Sequence, residues 1–263
     1  MKRGLRGPQA AAGGALERDD PCEELMHQLH RTLDDVAEGR FGVTADDGTG
    51  WQRVGNYTLA GERAKDLLDR VLAAFGLAII SPLLLVIAIA IRLDSPGPAF
   101  FRQVRIGRSG LPFHFWKFRG MHVDARRRFP ELYDYRYNAE QARTLRFHPP
   151  SDPRVTRVGR FIRRTSLDEL PNLLNVVRGE MSLVGPRPEI PELVPYYGVS
   201  ARMILSVKPG ITSLAKLLGR DHLTFEETLE LDLRYVRERS LRMDIGVLVG
   251  TVWMILTGRS IGS

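Results

Sequence analysis

VLAAFGLAIISPLLLVIAIAI, residues Val71–Ile91, runs for 21 residues without a charge and is flanked by Arg70 and Arg92. At ~1.5 Å per residue a straight helix of that length reaches about 31 Å, enough to cross the hydrocarbon core of a bilayer. The core helix of a soluble domain seldom stays apolar on every face for so long. The stretch therefore predicts membrane insertion. Ser81-Pro82 sits at its centre. Proline there removes a backbone hydrogen bond and collides with the carbonyl four residues back, which predicts a kink or break at Ser81 and Pro82. Each arm is then about 15 Å long, roughly half the core. Ser81 can back-bond to a freed carbonyl.

The flanks bear on topology. Arg63, Lys65 and Arg70 precede the run, interleaved with Glu62, Asp66 and Asp69, and residues 92–128 carry nine basic side chains against Asp94 and Asp124. Lys and Arg beside an inserted segment favour the cytoplasmic face and anionic headgroups. Basic residues at both ends favour a re-entrant hairpin, and a kinked single-pass anchor is the alternative. No other stretch is long enough to span.

Composition sets the remaining bounds. The 263 residues hold 38 basic and 31 acidic side chains, a net charge of +7, with 43% apolar residues and one cysteine, Cys22. A single cysteine excludes a disulfide framework and a multi-cysteine zinc or iron–sulfur site. Ordinary apolar and charged content argues against wholesale disorder and against a polytopic membrane protein. Residues 1–50 hold 6 basic and 10 acidic side chains, so the remainder is strongly basic, with 32 and 21. Residues 1–60 read as a variable, partly disordered acidic tail with a short amphipathic helix near Glu23–Glu38. The start has a basic beginning but no long apolar stretch, so no secretory signal is expected.

Beyond the insert (residues 61–95), residues 96–263 read as a helix-rich α/β domain seated on the membrane. Phe100–Arg105 and Leu111–Phe118, separated by a turn at Gly107–Gly110, predict a β-hairpin. Residues 124–150 read as helix plus loop. Leu167, Leu170, Leu173, Leu174 and Val177 recur at helical spacing, with Ser166 and Glu169 forming an S-x-x-E capping box and Gly179 as the stop. Met181–Val184 predicts a short strand, followed by a stiff turn at Gly185-Pro186-Arg187-Pro188. Thr224 and Glu227 form a second capping box, opening a helix through Glu238, and Met243–Leu256 predicts a last apolar helix.

The chemistry centres on Asp168-Glu169. Acids in a first helical turn gain about 0.3–1 kcal/mol from the dipole, which gives the pair a purely structural reading. Its neighbours argue for more. Arg160, Arg163 and Arg164 lie just upstream, and Arg187 follows in a proline-locked turn. Arginine offers a planar fork matched to phosphate oxygens, and magnesium usually takes one or two carboxylates plus phosphate oxygens and water. A carboxylate can also act as the nucleophile and form an acyl phosphate. Together these suggest phosphoryl transfer. The six histidines form no metal-ligand pattern, and no P-loop, Rossmann or G-x-S-x-G motif is present. The Arg126-Arg127-Arg128 run reads as a solvated or headgroup-facing surface rather than a catalytic feature. With a membrane insert so near, lipid is the expected polyanion and nucleic acid is not.

Several motifs occur in a fixed order: Phe101 through Gly107, Lys117-Phe118-Arg119-Gly120-Met121, Arg163 through Pro171, Ser182 through Pro188, Lys208-Pro209-Gly210-Ile211-Thr212, and Leu231 through Val236. With the proline-centred insert, this segment from about Lys65 to Leu256 resembles the bacterial sugar transferases. These are also called monotopic phosphoglycosyl transferases or undecaprenyl-phosphate hexose-phosphate transferases. The resemblance implies a small catalytic domain behind a re-entrant membrane hairpin, on the cytosolic face of the bacterial inner membrane. It implies Mg²⁺ dependence and two substrates, a nucleotide sugar (usually a UDP-sugar) and polyprenyl phosphate. By analogy Asp168 attacks the sugar-linked phosphate, UMP leaves, and polyprenyl phosphate then takes the phosphosugar from the aspartyl intermediate. Glu169 with Asp168 would hold the metal, and Arg163, Arg187, Lys117 and Arg119 would bind phosphate or substrate. A homo-oligomer is left open. The rival readings are a catalytically silent, polyprenyl-phosphate-binding scaffold and a peripheral protein that binds only anionic lipid.

Two departures stand out. The family commonly reads G-I-T-G-W-A-Q-V-x-G-R where this chain has Gly210-Ile211-Thr212-Ser213-Leu214-Ala215-Lys216-Leu217-Leu218-Gly219-Arg220, and Gly120 replaces the usual Thr or Ser. The first departure leaves the sugar unspecified.

Overall fold

The computed structural model describes residues 57–133, 135, 137–145, 152–219 and 222–257. The expected helix near Glu23–Glu38, Cys22 and most of the acidic tail lie outside these residues. The apolar run belongs to α1, Leu59–Asp94, a 36-residue helix capped by Thr58, whose side chain accepts from the Gly61 amide. The chain then forms β1 (Phe100–Ile106), β2 (Pro112–Phe118), the short helices α2 (Ala125–Arg128) and α3 (Ala139–Arg143), and α4 (Arg157–Arg164). A 3-10 segment at Leu167–Asn172 leads into α5 (Leu173–Arg178) and β3 (Ser182–Val184). After the 3-10 segment Pro191–Ser200 come α6 (Ala201–Ile204), β4 (Gly210–Thr212), α7 (Leu214–Leu218), α8 (Phe225–Glu238) and α9 (Leu241–Thr257).

Of the kink or break expected at Ser81-Pro82, a break is not what forms: helical backbone runs uninterrupted through Pro82. The reason is local. Pro82 cannot donate to the Ala78 carbonyl, and the Ser81 hydroxyl donates to that carbonyl instead, at 2.8 Å. The side chain next to the proline satisfies the acceptor that the proline orphans.

The hairpin forms as its alternation predicts. β1 and β2 pair antiparallel, from Phe100 opposite Phe118 to Ile106 opposite Pro112. β3 pairs in parallel with β4, a pairing the sequence reading did not foresee. That pairing is close because two glycines meet: a Cβ on Gly210 would lie 2.1 Å from the Gly185 nitrogen.

Both ends of α1 pack on the domain. Ala73 joins a cluster with Phe115, Val176 and Met181, with Leu173 against it. Ile87 and Ile91 join Ala99, Phe118 and Ile162, with Leu167 against them. Between those anchors Phe75, Ile79, Leu85 and Val86 are 61–67% exposed. At the far end the Asp94 carboxylate accepts from the Val158 amide at 3.0 Å. The N-terminal end is held by ions: Lys65 bridges Asp69 (2.9 Å) and Asp244 (3.1 Å), Lys208 pairs with Asp66, and Arg239 with Glu62.

Candidate active site

The expected α-helix over residues 167–177 is a 3-10 turn followed by a short α-helix. Ser166 takes a left-handed conformation (φ 58°, ψ 16°) and its side chain makes no cap bond. Pro171 lacks the amide an α-helix would direct at the Leu167 carbonyl, so the tighter winding persists until Leu173. Gly179 ends α5 in the left-handed region (φ 79°), as expected. The short turn presents Asp168 and Glu169 about 120° apart around its axis, with three residues per turn.

These acids face a cleft of about 840 Å³ lined by seven Arg and Lys side chains against Asp152, Asp168 and Glu169. Its cations come from separate elements: Arg105 from β1, Lys117 from β2, Arg160, Arg163 and Arg164 from α4, Arg187 from the turn after β3, and Lys216 from α7. Of the residues singled out from sequence, Asp168, Glu169, Arg163, Arg187 and Lys117 meet here. Arg119 does not line this cleft. Its buried guanidinium donates to the Pro96 carbonyl (2.6 Å) and to the Ser95 carbonyl and hydroxyl (2.7 and 2.9 Å), closing the chain where it leaves α1.

The two acids differ electrostatically. Burial and the adjacent Glu169 charge push the Asp168 carboxyl above the usual aspartate range, against the pull of Lys117, Lys216 and Arg163. Burial opposes charge on Glu169 too, but Lys216, Arg187 and Lys117 outweigh it and hold that carboxyl below the usual range. Lys216 Nζ donates directly to Glu169 Oε2. Burial lowers the Lys117 ammonium to about 8. Of the pair, Glu169 is thus the fixed anion, and Asp168 the carboxylate whose charge costs more to keep.

Buried groups aim the arginines. Asp152 receives Arg154 through two bonds of 2.8 Å and lies 3.7 Å from the Arg163 guanidinium. Gly120 lets the Arg163 stem lie close, where an added Cβ would sit 3.3 Å from its Cδ. Arg105 pairs with buried Glu189 (3.3 Å) and donates to the Pro188 carbonyl (3.0 Å). Asp232 accepts from the Arg187 amide at 3.1 Å, and burial drives its carboxyl up to about 8. Sequence reasoning missed Arg105, Asp152, Lys216 and Asp232 as members of this site. For Lys216 the signal was its place inside the departing 210–220 segment.

Among the described residues no three His, Cys, Asp or Glu side chains cluster as a metal cage. Two carboxylates in a cationic cleft suit a magnesium ion that draws its other ligands from phosphate oxygens and water.

The segment carrying the acids and the helix that follows it touch the two ends of α1: Leu167, next to Asp168, packs on the Ile87–Ile91 cluster, and Leu173, the first residue of α5, packs on the Ala73 cluster.

The sequence model of a family described as bacterial sugar transferase matches residues 60–258. The chain is 41% identical over 196 residues to the galactosyl transferase CpsE of Streptococcus agalactiae serotype III, covering 74% of this chain and 42% of that protein. It is 41% identical over 204 residues to the UDP-glucose:undecaprenyl-phosphate glucose-1-phosphate transferase of Escherichia coli K12, covering 73% of this chain and 39% of that protein. A protein of the same description from Caulobacter vibrioides is 39% identical over 255 residues, covering 92% of this chain and 86% of that protein. The matched region is thus about two fifths of the first two relatives and most of the third.

Proposed function

The chain belongs to the bacterial sugar transferase family, and from that footing we propose that it transfers a sugar phosphate from a nucleotide diphosphate sugar to polyprenyl phosphate, the first step in building a polysaccharide or glycoconjugate. A UDP-sugar is the donor the named relatives favour. The observation that carries the reading is the cation-rich cleft holding Asp168 on a segment that, with α5 directly after it, packs against both ends of the long apolar helix.

The chemistry follows from the side chains. An Asp168 carboxylate oxygen attacks the sugar-linked phosphorus, the bond to the nucleotide phosphate breaks, and UMP leaves with that electron pair. A phosphate oxygen of polyprenyl phosphate then attacks the same phosphorus, and the carboxylate departs to yield polyprenyl-diphosphate sugar. Using one nucleophile in alternation keeps the two anionic substrates from having to meet directly. Arg163 and Arg187 bind phosphate oxygens with their planar forks, and Lys117 neutralises charge beside Asp168. Glu169, with Asp168, would hold Mg²⁺, which offsets diphosphate charge when bound. Those donors and cations surround the position where negative charge develops.

The membrane reading is a re-entrant insertion from the cytosolic side of the inner membrane. A spanning helix would leave its flanks on opposite faces, roughly 30 Å apart. Support for re-entry comes from Lys65–Asp69 and Asp94 both bonding to one domain while most of the apolar side chains between, Phe75, Ile79, Leu85 and Val86 among them, stay exposed. Re-entry would set the cleft at headgroup depth, between a water-soluble donor and a lipid-dissolved acceptor. The basic flanks would meet anionic headgroups.

UMP release from a panel of UDP-sugars, in detergent with Mg²⁺ and polyprenyl phosphate, tests the activity. Release with at least one donor is expected. Folded protein that releases none would instead be the silent scaffold. Cysteines placed at residues 63 and 93 should both label from the cytosolic side, and labelling from opposite sides would reject re-entry.

A further inference from the structure

Lys216 is built into the cleft. The Ser213 hydroxyl caps α7 by accepting from the Lys216 amide at 3.0 Å, and Leu214, Ala215 and Leu217 around it are buried. The side chain is only 18% exposed, and its ammonium bonds Glu169 Oε2, on a carboxylate itself 27% exposed. It also reaches the Ile211 carbonyl, at 3.5 Å. A short capped helix therefore holds one full positive charge against the carboxylate read above as a metal ligand. A divalent ion reaching Glu169 meets that charge at contact range, inside a cleft where cations already outnumber anions.

We propose that Lys216 is the resident counter-cation of Glu169, which a divalent ion must displace, so that the donor-free enzyme binds metal weakly and metal enters with the donor diphosphate. Displaced from Glu169, the ammonium remains in the cleft, where a phosphate oxygen is its natural next partner. This rests on the reading of Glu169 as a metal ligand. Lys216 is a specificity-determining residue for the order of binding.

Mn²⁺ titration of the full-length, donor-free protein in detergent, followed by the electron paramagnetic resonance signal of free Mn²⁺, tests the proposal. Lys216→Gln should bind Mn²⁺ about tenfold more tightly than the native protein, since a unit charge at contact range is removed. Lys216→Met, which keeps the stem, should behave alike if the Gln variant fails to fold, and Lys216→Arg should match the native protein. Adding UDP should tighten Mn²⁺ binding more in the native protein than in the neutral variants. Affinities within twofold of native in both neutral variants would overturn the proposal. A Glu169→Gln change that leaves Mn²⁺ binding untouched in the Lys216→Gln background would show instead that the metal reading of Glu169 had failed.

Discussion

Two clusters of charge sit in this protein, one at the foot of α1 and one in the cleft, and they are balanced differently. At the foot cations face anions from another element or the next turn: Lys65 with Asp69 and Asp244, Lys208 with Asp66, Arg239 with Glu62. Hydroxyls complete the set, with Tyr57 donating to Asp244 at 2.8 Å and Tyr235 to Asp244 at 2.7 Å. In the cleft seven cations line the walls with three anions. A matched network clamps the membrane helix to the domain. A surplus of positive charge is useful only when anionic ligand arrives, and phosphate is the anion that arginine forks fit.

The sharpest way to break the contrast is to change one acid in the cleft and one cation at the foot. Asp168→Asn should lower turnover by roughly 10⁴-fold or more, as expected for a lost nucleophile, with no fall in thermal midpoint because a costly buried charge is removed. Lys65→Met should do the reverse. It leaves Asp69 and Asp244 buried without their ammonium, which costs about 3–5 kcal/mol. The loss would be read by thermal or chemical unfolding, with UMP release per folded molecule retained.

Acid–base behaviour sharpens it further. Asp232 in the folded protein keeps its proton up to about pH 8, whereas the unfolded chain releases it near ~4. Its contribution to stability is therefore full below that lower value and is lost as pH rises towards 8. Between pH 6 and 8 the native protein should lose about 2 kcal/mol more stability than Asp232→Asn, measurable as diverging thermal midpoints. The smallest effect concerns Lys117, whose ammonium is lost near pH 8. The ratio kcat/KM should fall up to about tenfold per unit above that pH, and Lys117→Arg should move the descending limb to higher pH.

The periodicities made most elements legible. The hairpin, the helix opened by Thr224 and Glu227, the Gly179 stop and the last helix all stand close to where the sequence puts them. Local chemistry overrode pattern at two places. The leucine spacing after Ser166 implies an α-helix, but Pro171 denies it the needed amide. Pro82 implies a kink or break, but Ser81 supplies the missing donor and the helix is not interrupted. In the cleft the acid pair and Arg163, Arg187 and Lys117 were visible as motif residues, while Arg119 shares its motif with Lys117 yet turns to backbone carbonyls. Alternation along a strand explains that case poorly, since residues two apart share a face; Arg119 lies just past the end of β2, where the pleat no longer governs direction. Asp232 and Asp152 were invisible because their importance comes from burial and from the arginines they aim, which only the folded chain brings together.

The central claim is that the Asp168 carboxylate carries the phosphosugar between the two substrates. Incubation with the donor and Mg²⁺ but no polyprenyl phosphate, followed by acid quench, tryptic digestion and mass analysis, addresses it directly. A phosphosugar is expected on the peptide Thr165–Arg178, absent from Asp168→Asn and cleared when polyprenyl phosphate is added. An unmodified peptide in protein that transfers the sugar phosphate once acceptor is supplied would contradict it.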